Sequence, residues 1–265
     1  MISPDDRGFL LGDGVFDTLA IRGGKPQFLA QHQQRLIRHA AAIGIAYDAL
    51  ELERAHEKQL ASITGDAILR CTVTRGVTGH GLWPVGPANV PAPTLAFRVS
   101  PLHKGIIAAP ARLCLAPMRR NETSPTSRIK SLCYLDAVLA ARHAAEAGAD
   151  DALFLNSAGH IACSTIANLF LLEGHTLITP PCADGAMDGV IRQMLLDYPP
   201  AGMQALKAHC TLDRMLAADA VFLTNSVRMV RPVTEFESKV IGEKTALQSN
   251  ALTLLLHNLT TLATL

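Results

Sequence analysis

The sequence has almost no net charge and no long apolar run, and both absences exclude classes of function. Its 24 Lys and Arg residues against 23 Asp and Glu residues leave a formal net charge of +1. This balance gives no electrostatic case for binding nucleic acid or an anionic membrane. No apolar stretch reaches the length of a membrane span. The first residues also lack a basic region followed by an apolar one, so we expect no secretion signal there.

Clustered cysteines are also missing. The chain has 6 cysteines, but they are scattered and form no CxxC pair. A disulfide framework or a structural zinc site would need regularly spaced cysteines. We therefore expect reduced thiols in a cytoplasmic protein. There is no internal repeat and no low-complexity segment either.

What is present indicates a globular protein with mixed secondary structure. The chain has 265 residues, of which 49% are hydrophobic and 18% charged. Strand-like and helical segments alternate, which predicts an α/β or α+β fold with two lobes. We expect a smaller N-terminal α/β domain at residues 1–103, a linker at 104–110, and a larger C-terminal α/β domain at 111–265 that carries Lys130.

Several elements can be predicted from hydrophobic spacing. Helical periodicity covers residues 28–45, 49–63 and 131–147, and another helix starts near Gly189. The apolar C-terminal run TALQSNALTLLLHNL predicts a further helix, for which we favour burial over a role in an interface. A long Gly/Pro-rich loop, GVTGHGLWPVGPANVPAP, separates two strands, and loops of this length are often functional.

Lys130 lies where such elements meet. It follows the polar, loop-like stretch RRNETSPTS and precedes a helical pattern. A strand, a turn and a second strand then lead to Asn168 and Phe170. This layout suits an amine held at the edge of a pocket, where it can form a Schiff base with an aldehyde cofactor.

Seven segments together resemble the class IV aminotransferases, which are fold-type IV pyridoxal phosphate (PLP) enzymes. This family includes branched-chain aminotransferases, D-amino acid aminotransferases and aminodeoxychorismate lyases. The segments occur in the family's order over nearly the whole chain. They are RGFLLGDGVFDT, HQQRL, IKSL with its helix, ADDALFLNSAGHI, ANLFLL, TPP followed by DGVIRQ, and TNSVRMVRPV. The resemblance implies the two-lobed fold of D-amino acid aminotransferases and a homodimer.

The resemblance also implies roles in binding PLP. Lys130 matches the Schiff-base lysine, which also moves protons as base and acid. Arg35 in HQQRL matches the arginine that binds the cofactor phosphate, for which a guanidinium offers a fork of donors.

Further matches concern the phosphate and the pyridine ring. Val190 and Ile191 match the helix N-terminus whose amides hold the phosphate. Ser226 matches the residue that closes the phosphate cup, and Asn225 beside it faces either cofactor or substrate. Cys163 stands where the family generally has a glutamate that bonds the pyridine nitrogen. A thiol is a poor counter-ion. Three interpretations follow. The reaction needs a weaker electron sink, the protein binds PLP but is a poor or specialised catalyst, or it has lost catalysis.

Within the family, TNSVRMVRPV and the loop TRGVTGHGLWP look closer to aminodeoxychorismate lyases than to branched-chain enzymes. That activity releases pyruvate from 4-amino-4-deoxychorismate and forms 4-aminobenzoate for folate synthesis. His80 stands where the lyase loop carries an arginine. His80, Arg75 and Arg228 are candidates for binding the anionic substrate. The alternatives are an aminotransferase for D-amino or branched-chain amino acids, and a PLP-binding protein without catalysis.

Overall fold

A computed structural model describes residues 2–78, 81–82, 92–241 and 245–264. The chain divides into two compact units. Unit 1 consists of Met1–Leu102 and Ile129–Cys133, and unit 2 of His103–Arg128 and Tyr134–Leu265. The domain boundaries derived from the sequence stay a prediction. In the structure, however, the segment that carries Lys130 groups with unit 1, because it pairs with a strand of that unit.

Unit 1 is an antiparallel sheet of four strands, in the order β2-β1-β3-β4, with helices. Strand β3 alternates between buried and partly exposed residues, as expected when one face packs on a core. Its buried Cys71 and Val73 pack with Leu36 and Ala40 of helix α2. The elements are α1 (Arg7–Leu11), β1 (Gly14–Arg22), β2 (Lys25–Pro26), α2 (Leu29–Ala42), α3 (Ala49–Leu60), β3 (Ala67–Thr74) and β4 (Thr94–Pro101).

Unit 2 is a mixed sheet of nine strands in the order β10-β9-β8-β11-β12-β5-β6-β7, with β13 paired to β12. The strands are β5 (Ala111–Leu115), β6 (Asp151–Leu155), β7 (Ile161–Ser164), β8 (Asn168–Glu173), β9 (Thr176–Thr179), β10 (Gln204–Lys207), β11 (Ala220–Asn225), β12 (Met229–Phe236) and β13 (Lys239–Val240). The helices are α4 (Pro125–Arg128), α5 (Leu135–Glu146), α6 (Val190–Asp197), α7 (Leu212–Ala217) and α8 (Thr245–Leu262). Strand β6 is buried throughout, which is typical of a strand covered on both faces.

The structure confirms the predicted two-lobed α/β class and most of the helices. The helix predicted at 131–147 begins only at Leu135, because the residues before it pair with β1. The C-terminal helix α8 buries Ala251, Leu255 and Leu259 at successive turns, which confirms burial. All six cysteines are free thiols, as expected. Within the described ranges, no helix combines the length and apolar character needed to cross a bilayer.

Gly76, two residues after the end of β3, has a backbone conformation that an L side chain would strain. Its φ is +84°, and a Cβ atom there would collide with the carbonyl oxygen of Ala92. The positive φ alone costs an L-residue about 1–2 kcal/mol. We therefore expect Gly76→Ala to lower the free energy of unfolding by more than about 2 kcal/mol, measured by urea denaturation. In the control Gly65→Ala, the new Cβ atom meets nothing within 4 Å. Equal losses in the two variants would contradict this account of Gly76.

Candidate active site

Lys130 lies at the end of a turn, and the next residue, Ser131, forms an antiparallel bridge with Val15 at the start of β1. The Phe16 amide donates to the Lys130 carbonyl at 2.9 Å, and the Leu132 amide donates to the Gly14 carbonyl at 2.9 Å. Gly14 allows this approach, since a Cβ atom there would lie 2.9 Å from Leu132 Cδ1 and 2.7 Å from the Val73 oxygen. The backbone at Lys130 is therefore held by the sheet and not by the helix that follows.

The amide of Lys130 is held by a histidine. It donates to Nδ1 of His39, on α2, at 3.0 Å. Burial is the main cause that lowers the pKa of His39, the nearby charges of Arg35 and Arg38 lower it as well, and the resulting pKa is about 3. His39 is therefore neutral near pH 7, and the hydrogen bond places its proton on Nε2. Only a neutral imidazole has a nitrogen that can accept.

The Lys130 side chain packs beside an aromatic ring. Its Nζ lies 4.3 Å from the centroid of the Phe16 ring, and the side chain is half-buried. The same residue thus fixes Lys130 twice, by its backbone amide and by its ring. An ammonium group near a ring face gains a modest electrostatic attraction. The side chain of Lys130 is consequently positioned beside the start of β1.

A buried carboxylate beneath this segment joins α2 to β1. Asp17 Oδ2 and Oδ1 accept from Arg35 Nε and Nη2, each at 2.8 Å, and Oδ1 lies 2.6 Å from Nδ1 of His32. All three side chains are nearly inaccessible. Burial by itself raises the pKa of the Asp17 carboxyl, but Arg35 and His32 outweigh it and hold that pKa well below its usual range. Asp17 therefore stays ionised, and two donors of Arg35 are committed to it.

Arg35 and Lys130 belong to one electrostatic neighbourhood. Burial is the main cause that lowers the pKa of His32 and of His39, and the charges of both Arg35 and Lys130 lower these pKa values further. The structure thus brings together the two predicted cofactor residues of unit 1. The contact of Arg35 with a phosphate remains a prediction.

In unit 2, helix α6 begins at Val190 after the N-cap residue Gly189, close to the predicted start. The N-cap residue is a glycine, so it offers no side chain to cap the first amides, and Val190 and Ile191 are buried. A Cβ atom at Gly189 would collide with Oδ1 of Asn168, so only glycine lets the helix start this close to β8. An uncapped helix N-terminus suits an anion such as a phosphate.

The end of β11 lies at the same edge. Thr224 pairs with Asn168, and its buried hydroxyl has no hydrogen-bond partner among the described residues. Asn225 Oδ1 accepts from the amides of Val227 and Arg228 at 3.1 and 2.8 Å, which closes the turn to β12. Ser226 is buried in that turn. Asn168 thus lies next to both the end of β11 and the start of α6, and Asn225 and Ser226 directly follow Thr224 in the chain.

Cys163 lies on β7 opposite Phe154 of β6 and is 7% exposed. Burial raises the pKa of its thiol; Arg120 partly offsets this and Asp151 adds to it. The thiol is therefore neutral near pH 7. The sequence indicated no acid close to this position, but the carboxylate of Asp151 is close enough to act on it.

Asp151 is itself committed to the turn between β7 and β8. Its buried carboxylate accepts from the Ser164 hydroxyl at 2.8 Å, the Thr165 hydroxyl at 2.5 Å and the Thr165 amide at 3.1 Å. These bonds shape the segment that directly follows Cys163. The Asp151 carboxylate thus fixes the backbone of the turn between β7 and β8, a role that the sequence does not reveal.

The residues predicted to bind substrate are placed differently. Arg75 donates to Asp13 at 2.8 and 3.0 Å and to the carbonyls of Ile43 and Gly44 at 2.6 and 2.9 Å, so it serves the structure of unit 1. Arg228 is half-buried in the turn between β11 and β12. His80 lies outside the described residues.

The neutral state of His39 predicts a particular pH dependence of stability. Its pKa is about 3 in the fold and about 6.5 in an unfolded chain, so below pH ~6.5 unfolding takes up a proton. This contribution is complete above that pH and is lost as the pH falls toward 3. We expect His39→Gln, which can still accept from Lys130, to reduce the slope of unfolding free energy between about pH 6 and pH 4 by up to about 1.4 kcal/mol per unit. Urea denaturation measures both slopes.

The control for this experiment is His257→Gln, since His257 is exposed on α8. It should reproduce the wild-type profile. Burial also lowers the pKa of His32 and of His56, so part of the acid-dependent loss remains in the His39 variant. Parallel profiles of the wild type and His39→Gln would show that His39 does not stay neutral in the fold.

Comparison with known proteins places this geometry in a family. A sequence model of amino-transferase class IV matches residues 14–236. An aminodeoxychorismate lyase of Bacillus subtilis (strain 168) is 28% identical over 261 residues, covering 96% of this chain and 88% of that protein. A D-alanine aminotransferase of Bacillus licheniformis is 30% identical over 248 residues, covering 90% and 84%.

Solved structures agree. The crystal structure of 4-amino-4-deoxychorismate lyase from Pseudomonas aeruginosa superposes with a TM-score of 0.80 at 27% identity, covering 95% of this chain and 94% of that one. Enzymes of this kind depend on PLP and act on small amino compounds. The match over residues 14–236 takes in most of both units. The chain therefore belongs to the class IV aminotransferase family.

Proposed function

We propose that this protein is a PLP-dependent lyase that converts 4-amino-4-deoxychorismate to 4-aminobenzoate and pyruvate. The observation that carries this choice over an aminotransferase is the buried, neutral thiol of Cys163 at the position of the family's glutamate. The similarity to aminodeoxychorismate lyases along nearly the whole chain supports it. We further propose that the protein is a cytoplasmic homodimer that serves folate synthesis.

The described residues fit the proposed cofactor. The amine of Lys130 suits its aldehyde, and the amides of Val190 and Ile191 suit its phosphate because the N-cap residue Gly189 has no side chain to cap them. Ser226 offers a hydroxyl in the turn after β11, and the buried Thr224 hydroxyl near it in the chain lacks a partner within the described residues. When bound, PLP supplies an electron sink for negative charge that develops on the substrate.

Lys130 is the proposed proton carrier. Its Nζ would remove the proton from the ring carbon that bears the substrate nitrogen. The ring carbon–oxygen bond to the enolpyruvyl group then breaks, that group takes up the proton on its methylene carbon, and it leaves as pyruvate. The remaining ring becomes aromatic. Because the backbone of Lys130 is held by Phe16 and His39, its amine moves only by side-chain rotation.

Cys163 suits this reaction better than transamination. A neutral thiol cannot act as counter-ion to a protonated pyridine nitrogen, so the sink is weaker. Aromatisation strongly favours the lyase products, which lets the reaction proceed with a weaker sink. A transaminase gains no such driving force, and it must carry the negative charge through to the amine form of the cofactor. The thiol is therefore more harmful to an aminotransferase.

The dianionic substrate needs cationic or hydrogen-bonding partners. We propose His80 and Arg228 for this role. Arg75 was predicted as a third partner, but its donors already bind Asp13 and two backbone carbonyls. A contact between Arg75 and substrate would have to displace some of these bonds.

The second candidate function is that of an aminotransferase for D-amino or branched-chain amino acids. The similarity to a D-alanine aminotransferase favours it. A lyase releases pyruvate without a keto-acid acceptor, whereas an aminotransferase turns over only with one. A protein that binds PLP and does neither would be a non-catalytic relative, the third reading of Cys163.

Lys130 should be essential for both the spectrum and the reaction. With added PLP, the wild type should show a visible absorbance band from the Schiff base. Lys130→Ala should lack this band, because it has lost the amine that forms the Schiff base. Wild type should also release pyruvate from 4-amino-4-deoxychorismate with no acceptor, and Lys130→Ala should lose at least about a thousandfold in rate.

The control is Lys207→Ala, since Lys207 is exposed on β10. It should keep both the band and the rate. A wild type that forms the band but needs a keto acid for turnover would overturn the lyase assignment and leave the family's cofactor chemistry intact. A band that survives in Lys130→Ala would overturn the role of Lys130.

Replacing the thiol with the family's acid tests the role of Cys163. We expect Cys163→Glu to raise the rate of a transamination half-reaction with D-alanine or a branched-chain amino acid, since a carboxylate strengthens the electron sink. Cys163→Gln, which has nearly the same shape but no charge, is the matched control and should give no gain. Stopped-flow spectroscopy of the bound cofactor measures both. If the glutamate gains nothing with any amino acid, the thiol does not limit transamination.

A further inference from the structure

Three side chains in unit 2 form a cluster outside the proposed catalytic site. His160 ends the turn between β6 and β7, Asp184 ends a short turn after β9, and His209 follows β10. None of the three was assigned to cofactor or substrate. Their ligand atoms all lie within 4.8 Å of one another. We propose that His160, Asp184 and His209 bind a divalent transition-metal ion, with Zn²⁺ as the best match.

The distances suit a single ion. His209 Nδ1 lies 2.8 Å from Asp184 Oδ2, and His160 Nδ1 lies 3.7 Å from Asp184 Oδ1. With metal bonds of about 2.0–2.1 Å in a tetrahedron, neighbouring ligand atoms lie about 3.3 Å apart. His209 Nδ1 also lies 3.0 Å from Asp184 Oδ1, so both histidines lie within about 0.4 Å of that separation from one carboxylate oxygen. The ligand atoms of the cluster all lie within 4.8 Å, so movements of up to about 1.5 Å would place them around one ion.

The donor set selects the kind of metal. Two imidazole nitrogens and one carboxylate oxygen suit Zn²⁺, Co²⁺ and similar ions. Mg²⁺ and Ca²⁺ prefer sites made of oxygen. Three protein ligands leave a further position, and the His209 side chain is 62% exposed, so an ion can enter from solvent and a water can complete its shell.

The charges also favour a cation between these groups. The Asp184 side chain is only 5% exposed, and a buried carboxylate needs positive charge close by. Among the residues the structure describes, its ion-pair partners are the two imidazoles. Their rings stack with centroids 4.5 Å apart and an interplanar angle of 30°. A single divalent ion between these three groups would balance the buried carboxylate.

The surroundings do not oppose binding. Arg214 donates to the backbone oxygen of His209 at 3.1 Å, but its charge is offset by Glu173, which accepts from it at 2.7 and 3.1 Å. The Arg120 guanidinium points to the carbonyl of Gly185 at 3.4 Å and to that of Ser127 at 2.7 Å. The thiol of the neighbouring Cys210 is buried and donates to the Ala208 carbonyl at 3.4 Å, and it is not part of the cluster of three ligand atoms.

Binding would join three loops that are distant in the sequence. One of them, the turn that ends at Asp184, leads within a few residues to Gly189 and the start of α6. An ion there would fix this loop against the β6–β7 turn and the segment after β10. Metal binding should therefore raise the thermal stability of the protein, because only the folded chain gathers the three ligands.

The experiment uses the untagged full-length protein with its cofactor, stripped of metal by a chelator and titrated with Co²⁺. We expect visible absorbance bands typical of Co²⁺ bound by nitrogen and oxygen, one ion per chain, and displacement by Zn²⁺. His209→Ala and His160→Ala should each weaken Co²⁺ binding by more than about tenfold. Loss of a residue that only hydrogen-bonds a metal ligand typically costs at least about tenfold, and loss of a ligand should cost more. His175→Ala, at an exposed histidine of the same unit, should bind as the wild type does.

A second readout separates metal binding from a purely structural role of the histidines. Zn²⁺ should raise the melting temperature of the wild type and of His175→Ala, but not that of His209→Ala or Asp184→Asn. If the histidines only hydrogen-bond Asp184, His209→Ala and Asp184→Asn are less stable than the wild type without metal, and Zn²⁺ changes the melting temperature of all four proteins equally. That result, or a wild type without Co²⁺ bands, would overturn the proposal.

Discussion

The pairing of Ile129–Cys133 with β1 is the constraint on which unit 1 and its candidate catalytic lysine depend. A lysine has four rotatable side-chain bonds, so its amine is placed accurately only if its backbone is fixed. Here the carbonyl of Lys130 accepts from Phe16, and its amide donates to His39. Both partners belong to elements packed in the core of unit 1. The proposed catalytic amine is thus supported by a sheet, which holds a side chain more rigidly than a loop would.

The neutrality of His39 follows from charges arranged around it. A protonated imidazole could not accept from the Lys130 amide. Burial and the positive charges of Arg35 and Arg38 make protonation costly. Arg35 in turn is held by the ionised Asp17, which His32 also contacts. One buried carboxylate therefore fixes an arginine, and that arginine helps to keep neutral the histidine that holds the lysine.

The fold class and most of the helices could be predicted from the sequence, because their signals are local in the chain. Helical periodicity predicted α2. The start of α6 could be predicted near Gly189 because the segment DGVIRQ resembles the corresponding helix start of the family. The bond between His39 and Lys130 joins residues 91 positions apart, so no local pattern could reveal it. The same holds for Asp151, which looks like an ordinary surface acid at a strand start until β7 folds against it. His160, Asp184 and His209 lie in three separate turns, and their spacing matches no metal-binding motif.

Two of the buried carboxylates, those of Asp17 and Asp151, have structural roles and no direct part in the proposed reaction. Asp17 is surrounded by cationic partners, and its charge is used to position α2. Asp151 is surrounded by hydroxyl and amide donors, and its charge is used to shape the turn after Cys163. Because the second carboxylate is saturated by these donors, it cannot also take over the role of the absent glutamate without breaking that turn. The Cys163 thiol is thus close to the Asp151 carboxylate, but the hydrogen bonds of that carboxylate go to the turn between β7 and β8. A site built this way favours a reaction whose driving force comes from its product.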